Sequence, residues 1–295
     1  MKTTIQVHKH FENLRDFIAQ IPERFDKCGT TVFEKRNVVK RITTPDGKAL
    51  VVKRYKLPNF FQRLGCSTFR KSKARRAYEY GLEFQRRGID TPQPVAYIEQ
   101  WKGPIFHRGF YICEECHDTS CTVLRNNDYP ERDELIKAFA AFLRRMHKRG
   151  ILHGDTNLSN FFFRKKTEEE ISKAREKDIY KQHQRSDSDV AYHFTAIDLN
   201  RTKFVQHPSH EQCLKNLVRV THDDLLMVDI VSAYARRRGW KEWNAVNYVQ
   251  KKLKQFETRN KIKDFFKFKK KKKDEKTHHH HHHHHHHEEQ KEQAD

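Results

Sequence analysis

The sequence predicts an α+β fold in two lobes: a small antiparallel β-sheet lobe with one helix, then a larger, mainly helical lobe. Three observations predict it. Runs of β-branched and aromatic residues separated by turn signals crowd the first 115 residues. Apolar residues at helical spacing dominate beyond about residue 130. At 295 residues, with 36% hydrophobic and 12% aromatic residues, the chain is long enough to bury a substantial core despite its high charge.

Residues 31–55 read as a three-stranded meander. TVF and VVKRI flank a short break, EKRN, and the turn TPDG leads into KALVVKRY. Asp-Gly between two β-rich runs is a strong turn signal. Next, RKSKARRAYEYGLEFQRRG places Ala74, Ala77, Tyr78, Leu82 and Phe84 at roughly helical spacing, with Gly88 as the stop. TPQPVAYIEQ and HRGFYICEE read as two more strands, giving five strands and one helix by about residue 115. In the second half, ERDELIKAFAAFLRRMHKRG puts Leu135, Ile136, Phe139, Phe142, Leu143 and Met146 on one face and ends at Gly150. NFFF reads as a short apolar strand. The charged run 164–189 reads as a solvated insertion, AYHFTAIDLNRTKF returns to strand character, and two helical stretches follow. These boundaries divide the chain into a β-rich lobe (1–114), a helical lobe (115–258) and a basic, His-rich low-complexity tail (259–295). The tail holds FFKFKKKKK and ten consecutive histidines, 278–287. The His tract fits an expression tag and a native tail equally, and it stays outside the fold argument.

Net charge is +21, and the body up to residue 256 carries +18 of it. That balance points to an anionic partner: nucleic acid, a phosphorylated substrate or an acidic membrane surface. No run is long and apolar enough to span a bilayer, and the N-terminus has no signal-peptide pattern, so the expected location is cytoplasmic. The six cysteines form no secreted framework. Cys113, Cys116, His117 and Cys121 offer four metal ligands, but all lie within nine residues, whereas structural zinc takes ligand pairs from separate elements. Ordinary thiols are the expectation.

The stretch ILHGDTNLSNFFF (151–163) places Asp155 and Asn160 in a loop between a helix and a short strand. Asp198, in AIDLN, arrives later at the end of a strand. Phosphoryl transfer needs this set: a carboxylate to orient an attacking hydroxyl, and a carboxylate plus a carboxamide oxygen to hold Mg2+ against the phosphates of ATP. It also needs a lysine on a strand and an acid on a helix. Lys53 follows ALVV, and Glu79 lies on the first long helix, preferred over Glu83 one turn on.

HGDTNLSN with the later IDLN resembles the kinase-like superfamily, in which HGD replaces the HRD of protein kinases. RAYEYGLEFQRRGIDTPQPVAY, MHKRGILHGDTNLSNFFF, AIDLNRTKF and KNLVRV together resemble the bacterial lipopolysaccharide kinase family, over roughly residues 31–240. The resemblance implies a bilobal protein-kinase-like fold and an ATP-dependent sugar kinase acting on a hydroxyl of Kdo or heptose in the lipopolysaccharide core. It implies Asp155 as catalytic base, Asn160 and Asp198 as Mg2+ ligands, Lys53 on the phosphates with Glu79 as its ion-pair partner, and His153 as a support of the loop. The EKRN break lacks the glycines of a phosphate loop, so Arg36 and Asn37 are the candidates to touch phosphate there. DLN stands where protein kinases have DFG, which gives no support to their activation switch. Arg201 is a candidate for an anionic substrate. The implied partners are a lipid A–core acceptor and, through the +18 body and the Phe/Lys tail, the anionic inner face of the inner membrane, with no dedicated protein partner. The alternatives are a protein kinase or small-molecule phosphotransferase and, in a different class, a basic nucleic-acid-binding protein. No nucleic-acid motif supports the last.

Overall fold

The computed structural model describes residues 1–68, 70–179 and 191–289. The first lobe is built on a six-stranded antiparallel sheet in the order β1-β5-β6-β4-β3-β2. Its strands are β1 (Lys2–Val7), β2 (Thr30–Glu34), β3 (Val38–Thr43), β4 (Ala49–Arg54), β5 (Pro94–Lys102) and β6 (Ile105–Glu114). The expected meander is β2–β4, with Lys53 opposite Val39 on one side and Tyr111 on the other. The sixth strand, β1, was not expected: only Ile5 and Val7 of KTTIQV are apolar, yet Ile5 pairs with Ile98 on β5.

Two short helices, α1 (Arg15–Ala19) and α2 (Ile21–Arg24), follow a 3-10 turn and cover one face of the sheet. Phe11, Leu14, Ile18, Ile21 and Phe25 bury themselves there against Val52, Ile98, Phe110 and Ile112. The other face receives α4 (Lys73–Arg86), whose Ala74 and Ala77 pack beside Tyr55. Alternation along β4 therefore sends Val52 into the first core and Lys53 to the α4 side. The helices α1 and α2 were not expected, and neither was α3 (Phe60–Thr68) between β4 and α4, whose start is capped by Asn59 Oδ1 accepting from Gln62 N (2.9 Å).

The second lobe centres on α5 (Arg132–Lys148), the helix expected from the apolar face of that stretch; Leu135, Ile136, Phe139, Phe142, Leu143 and Met146 are all buried. A three-stranded sheet, β10-β9-β7, uses β7 (Thr119–Ser120), β9 (Phe161–Lys165) and β10 (Tyr192–Ala196). A two-stranded ladder joins β8 (Ile151–Leu152) to β11 (Lys203–Phe204). Phe161 and Phe163 of the aromatic triplet turn inward against Phe139, Phe142 and Phe194.

Within the charged run, α6 (Glu168–Ile179) is helical, and Arg164 holds Glu170 at 2.8 Å. The remainder of the expected insertion, 180–189, lies outside the described residues. Helices α7 (His210–Leu217), α8 (Asp224–Arg238) and α9 (Glu242–Glu289) complete the fold. The first turns of α9 are buried, through Ala245, Val246, Val249 and Leu253. The helix then runs through the expected junction at 258/259 without a break.

Candidate active site

The two ladders of the second lobe bring the polar residues together. The HGD stretch connects β8 to β9, and the DLN stretch connects β10 to β11. Because β8 pairs with β11 and β9 with β10, the two connections lie side by side. Ile197 N donates to Asn160 O (2.9 Å), and Asn160 Nδ2 donates to Asp155 O (2.9 Å). His153 is fully buried and ties both connections. Its Nδ1 accepts from Asp155 N (3.2 Å), so its Nε2–H donates to Ile197 O (2.9 Å). One ring nitrogen accepts and the other donates, which requires the neutral imidazole, and burial lowers its pKa to match.

Gly154 sits between them at φ +76°, where an added β-carbon would lie 2.3 Å from Arg201 O. The glycine of HGD is thus the residue that lets the DLN-R backbone approach. Asp198 is one of only two non-glycine residues at positive φ among the described residues, at +60°. That left-handed turn aims its carboxylate across the lobes, where Lys53 Nζ donates to Oδ1 at 2.7 Å. Burial raises the Asp198 pKa, but the charge of Lys53 and its hydrogen bond outweigh burial and hold the carboxyl below its ordinary value. A second bond across the lobes runs from Arg76 Nη1 on α4 to Asn200 O (3.0 Å).

A profile of the lipopolysaccharide kinase (Kdo/WaaP) family matches residues 59–225, more than half of the chain. The chain belongs to that family. This lipopolysaccharide kinase is similar in fold to WaaP in complex with acyl carrier protein, with a TM-score of 0.53 and 18% identity over 85% of this chain and 98% of that one. It also matches, at a TM-score of 0.42 and 14% identity, a Rio2 kinase–ADP/Mg2+-phosphoaspartate complex from Chaetomium thermophilum, over 82% of this chain and 67% of that one. An amicoumacin kinase, hAmiN, in complex with AMP-PNP, Ca2+ and Ami matches at 0.42 and 11% identity, over 78% of each chain. No curated protein matches by sequence. The family and the kinase-like fold make the protein an ATP-dependent phosphotransferase of the lipopolysaccharide kinase type.

In the lipopolysaccharide kinase Lys53, Asp198, Asp155 and Asn160 are gathered at one junction of the lobes. The expected Lys53–Glu79 ion pair is not made. Glu79 is held instead by Lys71 (2.5 Å) and Arg75 (2.8 Å), nearer cations on its own helix and the segment before it. Its rival Glu83 is bound by Arg86 and Arg87. At the β2–β3 break, Asn37 Oδ1 accepts from Lys56 N (2.9 Å), tying the turn to the chain just after β4, and Arg36 is exposed. Two contributors escaped the sequence reading. Arg219, from KNLVRV, lies 3.7 Å from Asp155 Oδ1, and Arg76 bridges to Asn200. Both are basic residues in a basic chain, and nothing local in the sequence separates them from their neighbours.

The donors fit a hard divalent cation. Asn160 is buried and spends its Nδ2 on Asp155 O, and among the described residues no hydrogen bond engages its Oδ1. That oxygen and the Asp198 carboxylate are oxygen donors of the kind Mg2+ takes. The four residues weighed for zinc do not gather. Among the described residues no three His, Cys, Asp or Glu side chains are placed to hold a metal ion, and Cys113, Cys116 and Cys121 are free thiols.

Proposed function

We propose that this kinase phosphorylates a hydroxyl of Kdo or heptose in the lipopolysaccharide core, with Asp155 as the base. The observation that supports the reading is the convergence of Lys53 and Asp198 with the Asp155–Asn160 loop across the two lobes. In this reading Asp155 accepts the proton of the attacking hydroxyl, and Arg219 beside it helps hold the carboxylate and the anionic acceptor. Lys53 neutralises phosphate charge, Arg36 and Asn37 border the phosphates from the β2–β3 turn, and Asn160 and Asp198 would hold Mg2+, which supplies charge neutralisation at the transferring group. Glu79 orders Lys71 and Arg75 beside the nucleotide side of the cleft. The proposed division is a nucleotide-binding lobe (1–114), a catalytic lobe (115–258) and a tail (259–295).

The acceptor is a glycolipid, so the proposed place of action is the cytoplasmic face of the inner membrane. No helix among the described residues is long and apolar enough to cross a membrane. On α9, Ile262, Phe265 and Phe266 recur at helical spacing, all at least half exposed, interleaved with Lys261, Lys263 and Lys267. This pattern suits a helix lying in an anionic interface. The WaaP complex also raises a protein partner for this chain, which the sequence did not suggest; co-purification with acyl carrier protein tests it.

Asp155→Asn is expected to abolish phosphate transfer from ATP to a lipid A-linked core acceptor while leaving the melting temperature close to that of the parent. Transfer at the parent rate would remove Asp155 from the chemistry.

A further inference from the structure

The mechanism leaves α3 without a task, and its surface is unusual. Phe60 is 61% exposed and Phe61 82%, with the exposed Leu57 and Leu64 beside them. Positions 60, 61 and 64 fall within one face of the helix. An adjoining side of the helix is fastened to the sheet, where Arg63 Nε donates to Phe106 O on β6 (3.0 Å). The helix is therefore anchored through one side and presents two adjacent aromatic rings on another, in edge contact with each other at 5.9 Å.

The chain segment that carries this face is one-sided in charge. Residues 47–78 contain ten Lys and Arg and no Asp or Glu. Five acids reach in from elsewhere: Asp198 to Lys53, Asp26 to Arg54, Glu79 to Lys71 and Arg75, and at longer range Asp46 to Lys48 and Glu99 to Arg75. The balance of the segment stays positive by five charges. The basic run leads from α3 to the cleft. Lys73, at the start of α4, has its ammonium pushed down by burial and by the surrounding Arg201, Arg76, Lys53 and Arg70. Arg201 is three residues from Asp198. An apolar centre, a cationic border and a cationic path to the reacting groups thus lie along one segment.

We propose that α3 docks on an anionic lipid leaflet, with Phe60 and Phe61 in the acyl boundary and the surrounding Lys and Arg on the headgroup phosphates. A second copy of the chain does not fit this surface, because two such cationic borders repel. A lipid leaflet supplies both the apolar depth and the negative charge. The inference rests on the reading of the substrate as a membrane-resident glycolipid and deepens it: α3 would set the cleft at the height where the core sugars leave the bilayer.

The test needs neither ATP nor acceptor, so it stands or falls apart from the kinase assignment. Full-length Phe61→Trp is mixed with phosphatidylethanolamine–phosphatidylglycerol vesicles carrying bromine on the acyl chains. Quenching beyond that of the parent protein, whose own tryptophans give the baseline, is expected with these vesicles and not with phosphatidylcholine alone. Phe60→Ser/Phe61→Ser, both exposed and so compatible with folding, is expected to weaken vesicle binding at least about tenfold. A residue-61 tryptophan that stays unquenched while the chain is vesicle-bound overturns the proposal. So does a double variant with the parent's affinity, or equal quenching by uncharged vesicles. Loss of acyl carrier protein binding in the double variant, with vesicle binding intact, would make the face a protein-docking surface and likewise overturn it.

Discussion

Gly154, like Gly150, makes a narrow demand on residue identity. A methyl group there would meet Arg201 O at 2.3 Å, from a backbone conformation that side chains rarely adopt. Gly154→Ala is expected to cost at least about 2 kcal/mol and to lower the melting temperature by about 4 °C or more, measured by thermal denaturation. Lys53 and Glu79 give a second test at this scale. Lys53 meets Asp198, whereas Glu79 is occupied by Lys71 and Arg75. Lys53→Met should lower kcat/KM for ATP by about 100-fold or more, since it removes charge aimed at the phosphates. Glu79→Gln should lower it by much less, and an equal loss in steady-state assays would restore the Lys53–Glu79 pair to the working enzyme. The contrast marks what a sequence holds at this scale. Asp155 and Asn160 were legible because their spacing fixes a local loop. The partner of Lys53 was not, because ion-pair choice depends on which of several carboxylates the fold brings nearest.

At the scale of elements, α5 and α8 are joined to the Asp155 loop through one buried imidazole. His147 Nε2 meets Asn216 Oδ1 at 2.9 Å and its Nδ1 meets the Tyr234 hydroxyl at 2.6 Å. Asn216 O in turn accepts from Thr156, the neighbour of Asp155. Neutral His147 satisfies both contacts, donating to the amide oxygen and accepting from the phenol. Burial, only partly opposed by the bond to Asn216, lowers its pKa from 6.5 to about 4. The unfolded chain therefore binds this proton more readily than the folded one. The contribution is complete above pH 6.5 and is lost as pH falls toward about 4, at a limiting slope of about 1.4 kcal/mol per pH unit. Urea midpoints measured across that window should fall, and His147→Gln should flatten the fall attributable to this site. A slope unchanged in the variant would assign the acid sensitivity elsewhere. Most elements were readable from periodicity, α5 best of all because its whole apolar face is buried. Among the misses were β1, α1, α2 and α3. β1 is an edge strand held by pairing with β5 more than by its own pattern, and α3 turns its largest apolar residues outward, against the rule that periodicity relies on.

For the molecule as a whole, charge and shape act together. The net charge of +21 spans both lobes and the long α9, which still meets Arg219 and His222 through Phe256 and Glu257 and beyond them carries an exposed Phe/Lys stripe. Removing residues 262–295 is expected to weaken co-sedimentation with anionic vesicles several-fold, each lost lysine near the leaflet being worth about 1 kcal/mol at most. Undiminished binding would take the tail out of membrane attachment. The two-lobed plan was legible from the switch in apolar period between the halves of the chain. Two of the bonds that join the lobes, Lys53–Asp198 and Arg76–Asn200, were not, since each spans more than 120 residues of sequence. The contact at Gly154 has a wider meaning. With the two loops fastened backbone to backbone, by Gly154 against Arg201 and by His153 to Ile197, the catalytic geometry stands ready-made. Under the proposed function, such an enzyme would need no covalent licence to turn over, and its output would follow the supply of nucleotide and of acceptor delivered to its mouth.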